Sequence, residues 1–299
     1  MSKTILVELS DALADAAESV GKATVLVSAR RRMPASGISY TADLILTADH
    51  VIEREEDITV TLADGTQVSA KVAGRDAGSD LAVLKLERAA AQAAEVTKSP
   101  ARLGQIALVL GRPSINGIEA SLGTVSAIGG PIRTGHGGML EKYIRTDGIS
   151  YPGFSGGPLV AADGTVLGVN TSGLANGAAL TIPADIAWRI AETLAKQGRV
   201  KHGYLGIRSQ AVEIPNFTQK ALQRAQASGL LVVSVEKDSP ASRGGLMVGD
   251  ILVSVAGLPI LHHDELFARL SGDVVGKSES LEILRGGQPQ TLDVLIGER

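Results

Sequence analysis

The stretch Tyr151-Pro152-Gly153-Phe154-Ser155-Gly156-Gly157-Pro158-Leu159-Val160 sets one serine among glycines immediately before a short apolar run. Glycine on both sides lets the backbone turn sharply, exposing the Ser155 hydroxyl and pointing the N–H groups of Gly153 and Ser155 at a common point. An ordinary Gly-rich turn between strands reads the same way, so the surroundings must decide. Downstream lie the short apolar runs Val166–Val169 and Ala178–Ile182. Upstream lie Ala23–Ala29, Leu44–Thr47, Ile58–Leu62, Val68–Ala73, Leu81–Leu86, Ile106–Leu110, Leu122–Ile128 and Tyr143–Arg145. Ala63-Asp64-Gly65 and Ala162-Asp163-Gly164 are natural hairpin turns between such runs. Short strands with no helices between them predict a mainly β fold of antiparallel barrels.

The pattern changes at both ends of this region. A short amphipathic segment, Leu9–Val20, precedes it. After Pro183, Ile186, Ile190 and Leu194 recur at a helical spacing until Gly198. A boundary near Gly198–Gly203 follows, and then strands at Leu205–Ile207, Leu230–Val235, Ile251–Val255, Leu281–Leu284 and Thr291–Ile296, with a helix from Asp264 to Leu270. The expected division is an N-terminal segment over 1–22, a β-barrel domain over 23–200 and an α+β domain over 201–299.

Composition narrows the function. The 299 residues exceed one typical domain, and 29 basic against 32 acidic residues give a net charge of −3. No global field favours nucleic acid, so a nucleic-acid partner is not expected. Without cysteine there is no disulfide, thiolate metal site or cysteine nucleophile. No apolar run approaches the roughly 18 residues of a membrane-spanning helix. The short apolar run at Thr4–Val7 falls below signal-peptide length, so the chain as written is expected in the cytoplasm, or in the cell envelope if a leading segment has been removed. Adjacent His262-His263 rarely face one ion, and Asp264 reads as a helix N-cap, so no metal is expected. Neither a P-loop nor a dinucleotide fingerprint appears, and no cofactor is expected.

A serine hydroxyl is a weak nucleophile and needs a base, for which histidine has the suitable pKa. Of five histidines, His50 follows the apolar run Leu44–Thr47, placing its ring at a strand end. His136, His202, His262 and His263 fall in loops or caps. The base in turn needs a carboxylate. Asp80 stands between a loop and the apolar run Leu81–Leu86, whereas Asp76 reads as a turn former and Asp49 as a neighbour pointing away from His50. The chain order His, Asp, Ser is that of chymotrypsin.

These segments together resemble the HtrA/DegP family of trypsin-like serine proteases. The resemblance covers roughly Ala23 to Gln197 and rests on Thr47–Val51, Asp80–Lys85, Gly111–Pro113, Leu122–Gly129 and Gly153–Val160 in the family's order. It implies a chymotrypsin-like double β-barrel with His50, Asp80 and Ser155 as triad in the cleft and the Gly153 and Ser155 amides as oxyanion donors. Phe154 departs from the pattern, standing where relatives carry Asn or Asp. In such barrels Ile149, Asn170, Thr171 and Ser172 line the primary pocket, which is uncharged and suits small or medium aliphatic side chains.

From Gly203 to Gly297 the chain resembles the PDZ domain that follows the protease in these proteins. The segments are Gly203–Ile207, Asp238–Ala241, Gly245–Leu252 and Leu284–Gly287. The resemblance implies that the Tyr204, Leu205, Gly206 and Ile207 loop captures peptide C-termini while an adjoining strand accepts β-augmentation. It also implies ATP-independent cleavage of unfolded or misfolded proteins in the cell envelope, by homo-oligomers commonly built through aromatic residues ahead of the protease domain. Met1–Lys22 contains none. A chaperone or peptide-binding scaffold that holds chains without cutting is the alternative.

Overall fold

Polar and apolar residues alternating with a period of two build two closed barrels in the computed structural model, which describes residues 4–134, 138–175, 178–270 and 274–298. Helix α1 (Ile5–Ala23) leads into β1 (Thr24–Ser28), β2 (Ala35–Ser39), β3 (Leu44–Ala48), β4 (Ile58–Thr61), β5 (Gln67–Asp76) and β6 (Leu81–Leu86). These close as β1-β2-β3-β6-β5-β4. The second barrel uses β7 (Ile106–Ser114), β8 (Gly117–Gly129), β11 (Tyr143–Thr146), β12 (Pro158–Ala161), β13 (Val166–Ala175) and β14 (Ala178–Pro183), in the order β11-β14-β13-β12-β7-β8. A small antiparallel pair, β9 (Ile132–Arg133) with β10 (Met139–Leu140), stands aside. At the two Asp-Gly turns, Gly65 and Gly164 take φ of 83° and 80°. The carboxylates of Asp64 and Asp163 accept the amides of Thr66 and Thr165.

Each barrel has its own interior. Val25, Val27, Ile45, Val60 and Leu84 fill the first, and Val109, Val125, Ile144, Phe154 and Leu159 the second. A third cluster forms the seam between barrels: Ile38, Leu46 and Val83 meet Leu108, Leu110 and Val169, joined by Ala16 and Val20 of α1 and by Ile186 and Leu194 of α2 (Ala184–Gln197). Burying each of the larger aliphatic side chains stabilises by about 1.5–3 kcal/mol. The seam fixes one barrel against the other and therefore the residues that face across it.

The elements differ from expectation at α1 and β2 in this unit. Helix α1 extends beyond Leu9–Val20 at both ends, since no Gly or Pro interrupts Ile5–Leu9. Its residues Ile5 and Leu6 are exposed, while Ala16 and Val20 pack on the barrels, so the N-terminal segment belongs to the same compact unit, which runs to Val200. Strand β2 has no counterpart in the sequence reading, because Ala35-Ser36-Gly37-Ile38-Ser39 is buried on both faces and shows no alternation. Its Gly37 has no space for a side chain: a Cβ there would fall 2.7 Å from an Ile45 methyl.

The second unit runs from Lys201. It comprises β15 (Gly203–Tyr204), β16 (Ile207–Glu213), α3 (Asn216–Ala221), β17 (Ser228–Val235), α4 (Pro240–Arg243), β18 (Ile251–Val255), β19 (Leu258–Pro259), α5 (His263–Arg269), β20 (Ser278–Arg285), β21 (Gln288–Leu295) and β22 (Gly297–Glu298). The main sheet has the order β16-β17-β18-β20-β21, which leaves β16 at an edge. Strand β15 instead pairs β22. Leu205, Leu230, Leu252, Leu266, Ile283 and Val294 centre its core. Helix α5 starts at His263, and the Glu265 carboxylate reaches back to the amides of Leu261 and His262. Asp264 therefore lies inside the first turn and is not the N-cap.

Candidate active site

Strand β3 ends in a tight turn, Asp49–Val51, that swings His50 off the barrel rim. Asp80 occupies the left-handed region, with φ of 54°, at the start of β6, the strand beside β3. Such a backbone state is costly for a non-glycine residue and persists only where neighbours enforce it. Here Asp76 holds the preceding turn through the amides of Gly78 and Ser79. The Asp80 carboxylate is 2% exposed and accepts the His50 backbone amide at 2.8 Å, His50 Nδ1 at 2.8 Å and the Thr171 hydroxyl. A buried carboxylate requires that set of donors. With Nδ1–H committed to Asp80, Nε2 is left as the acceptor of the ring. Asp49, the rival carboxylate, pairs with Arg75 at 2.6 Å.

Ser155 comes from the loop before β12 in the opposite barrel. Its Oγ lies 3.2 Å from Ser172 Oγ, and no hydrogen bond links it to His50 among the described residues. The hydrogen bond of a serine–histidine pair often tightens only on substrate binding. Across Gly153–Gly157 the amides of Phe154, Gly156 and Gly157 donate to Tyr151, Asn170 and Phe154 carbonyls. Those of Gly153 and Ser155 donate to nothing among the described residues, and Gly153 takes φ of 91°. Phe154 is fully buried in the second barrel's interior, edge-on to Tyr151 with ring centroids 5.4 Å apart. Its ring anchors the loop from below.

The residues expected to line the pocket separate. On β13, Asn170 and Thr171 point to opposite faces. Asn170 accepts from Thr181 Oγ1 at 2.7 Å, its Nδ2 buried and unpartnered, whereas Thr171 turns to Asp80 and so acts on the carboxylate, not on a substrate side chain. Ser172 is the member of the trio beside the nucleophile. Ile149 is 56% exposed, and its amide donates to Ser121 Oγ at 2.8 Å, which ties this loop to β8. Gly173 is a tight point, since a Cβ there would sit 2.5 Å from Asp80 Oδ2 and 2.7 Å from His50 Nδ1. Of the other histidines, His136 lies outside the described residues, and His263 Nε2 sits 3.0 Å from the Ser209 carbonyl of β16.

In the second unit, Tyr204 ends β15, Leu205 and Gly206 form a short loop, and Ile207 opens β16. The Leu205 and Gly206 carbonyls accept from Ala241 and Glu236 amides at 2.8 Å each. The amides of Leu205 and Gly206 themselves donate to nothing among the described residues. Gly206 has φ of 79° and packs against Ser239. Tyr204 Oη donates to Glu236.

Residues 35–169 match the trypsin-like peptidase domain family, and residues 203–296 match the PDZ domain family. The probable periplasmic serine endoprotease DegP-like of Pseudomonas putida (strain GB-1) is 34% identical over 269 residues, covering 88% of this chain and 55% of its own length. The putative serine protease HhoB of Synechocystis sp. is 32% identical, covering 90% of this chain and 67% of its own. Among solved structures, the HtrA-type protease AlgW with decapeptide superimposes with a TM-score of 0.81 at 26% identity, covering 96% of this chain and 98% of that one. The chain spans about half the length of the Pseudomonas relatives. These relatives are named as periplasmic enzymes, which overturns the cytoplasmic expectation drawn from the short apolar run at Thr4–Val7. The two family matches in tandem, the barrels and these relatives lead to one conclusion: the chain belongs to the HtrA family of trypsin-like serine proteases that carry a PDZ domain.

Proposed function

We propose that the protein is an ATP-independent serine endopeptidase of the cell envelope that cleaves unfolded or misfolded proteins. His50 takes the Ser155 proton through Nε2 and later returns it to the leaving amine. Asp80 fixes the ring and stabilises the imidazolium, and Ser155 forms the acyl-enzyme. The amides of Gly153 and Ser155 hold the oxyanion. The observation that carries this reading is the buried Asp80 carboxylate gripping His50 Nδ1 at 2.8 Å, with both candidate oxyanion amides left unpaired in the opposite barrel. Ile149, Asn170 and Ser172 carry no charge, so a pocket near them favours small or medium uncharged side chains over Lys or Arg. The unpaired amides of Leu205 and Gly206, beside edge strand β16, suit a peptide's terminal carboxylate and an added strand.

The second reading is a holdase that binds chains without cutting them, favoured by the Ser155 hydroxyl pairing with Ser172 and not with His50. Fluorophosphonate labelling followed by mass spectrometry separates the two. Adduct on Ser155, absent in Ser155→Ala and enhanced by a peptide with a hydrophobic C-terminus, is the expected outcome. No adduct with or without peptide, in protein that remains folded, supports the holdase.

A further inference from the structure

We propose that Ser36 is the positioning residue of the oxyanion loop, holding the Gly153 and Ser155 carbonyls so that the Gly153 amide, which belongs to the preceding Pro152–Gly153 peptide, stays free; the proposal rests on the protease reading above. Ser36 lies in β2 and is completely buried. Each of its three polar groups is engaged, and two of them grip the Gly153–Ser155 loop. Its Oγ donates to the Gly153 carbonyl at 2.7 Å, and its backbone N–H donates to the Ser155 carbonyl at 3.2 Å. The same Oγ accepts the Arg112 amide at 2.8 Å, and the Ser36 carbonyl accepts from Thr47 Oγ1 at 2.7 Å. One residue thus ties the first barrel to Gly153 through its side chain and to Ser155 through its backbone, the two residues whose amides form the candidate hole.

The direction of the Gly153 carbonyl is what matters. Gly153 is at φ of 91°, where glycine alone is comfortable, and its neighbouring peptides could rotate at little steric cost. A hydrogen bond to the Gly153 carbonyl fixes the peptide after Gly153, and so restricts how the Pro152–Gly153 peptide, which carries the Gly153 N–H, can turn about the glycine. The donor is itself aligned, because the Ser36 hydroxyl takes its second bond from Arg112, whose guanidinium donates to the Gly21 and Thr24 carbonyls. The fit is tight around it. A Cβ on Gly111 would fall 2.9 Å from Ser36 Oγ, and one on Gly156 2.2 Å from the Ser36 carbonyl. The loop glycines thus allow the backbone to close on this serine.

Ser36→Ala removes the donor with the smallest change of shape. The rate of Ser155 phosphonylation is expected to fall about tenfold or more, since loss of a single oxyanion donor costs at least that. Affinity for a peptide boronate, which mimics the tetrahedral intermediate, should fall in parallel, while affinity for the matching product peptide stays. The pH midpoint of labelling, which reports His50, should not move. Ser36→Cys, a weaker donor of similar shape, should give an intermediate rate and serves if the alanine variant does not fold. Labelling and boronate affinity within about twofold of wild type in a folded variant overturn the proposal. If wild type itself is not labelled, the protease reading fails. The crystal structure of Ser36→Ala then decides the positioning role alone: a Gly153 carbonyl that keeps its direction overturns it, and a rotated one supports it.

Discussion

At the scale of single residues, the site depends on what is missing as much as on what is present. Gly173 faces the His50–Asp80 pair so closely that one added methyl group would fall inside contact distance of both. Gly173→Ala is therefore expected to displace the ring or the carboxylate and to lower Ser155 labelling by about a hundredfold, the scale of an ångström of misplacement, with all three triad side chains intact. Labelling near the wild-type rate would show that the pair yields without cost. The contact between His50 and Asp80 was legible because chemistry demands those residue types and each stands at a strand end beside an apolar run, as does the proposed partner Ser155. Thr171 and Ser36 were not, since a hydroxyl within a strand looks like any β-forming or small residue until its partner across the fold is known. Ile149 was assigned to the pocket by its spacing from Ser155, and spacing does not encode what a loop residue touches: the bond of its amide to Ser121 emerges only from the fold.

Elements carry the next level of argument. Strand ends and hairpins followed from apolar runs and Asp-Gly turns, whereas β2 was invisible because a strand buried on both faces and built from small residues carries no period-two signal. Of the segment Leu205–Ile207 read as a strand, Leu205 and Gly206 form a loop after β15, which pairs β22, and only Ile207 belongs to a strand, β16, which pairs β17. The same loop permits a test of peptide capture. Gly206→Ala places a side chain at φ of 79° and 2.3 Å from Ser239 Cβ, a strain of about 1–3 kcal/mol relieved by moving the loop. Calorimetric titration with a peptide ending in a hydrophobic residue should show affinity weakened about tenfold or more, with the sheet intact by circular dichroism. An unchanged Kd removes this loop from the binding reading.

For the whole molecule, separate cores predict separate stability. The clusters around Leu252 and Ile283 draw only on residues beyond Val200, and those of the barrels only on residues before it. Residues 201–299 expressed alone should fold, giving a dispersed amide spectrum and one cooperative unfolding transition. A collapsed spectrum would mean that this unit depends on the barrels. Helix α1 has a larger consequence than its place at the margin suggests. Arg112 is 8% exposed, burial pulls its guanidinium below the usual basicity, and its acceptors are carbonyls of Gly21 and Thr24 at the end of that helix. Proteolytic trimming past the helix would strip an acceptor from a cation sealed inside the protein, one hydrogen bond from Ser36 and two from Gly153. The N-terminus is thus a place where a cut or a pull, far from any substrate, reaches the nucleophile loop.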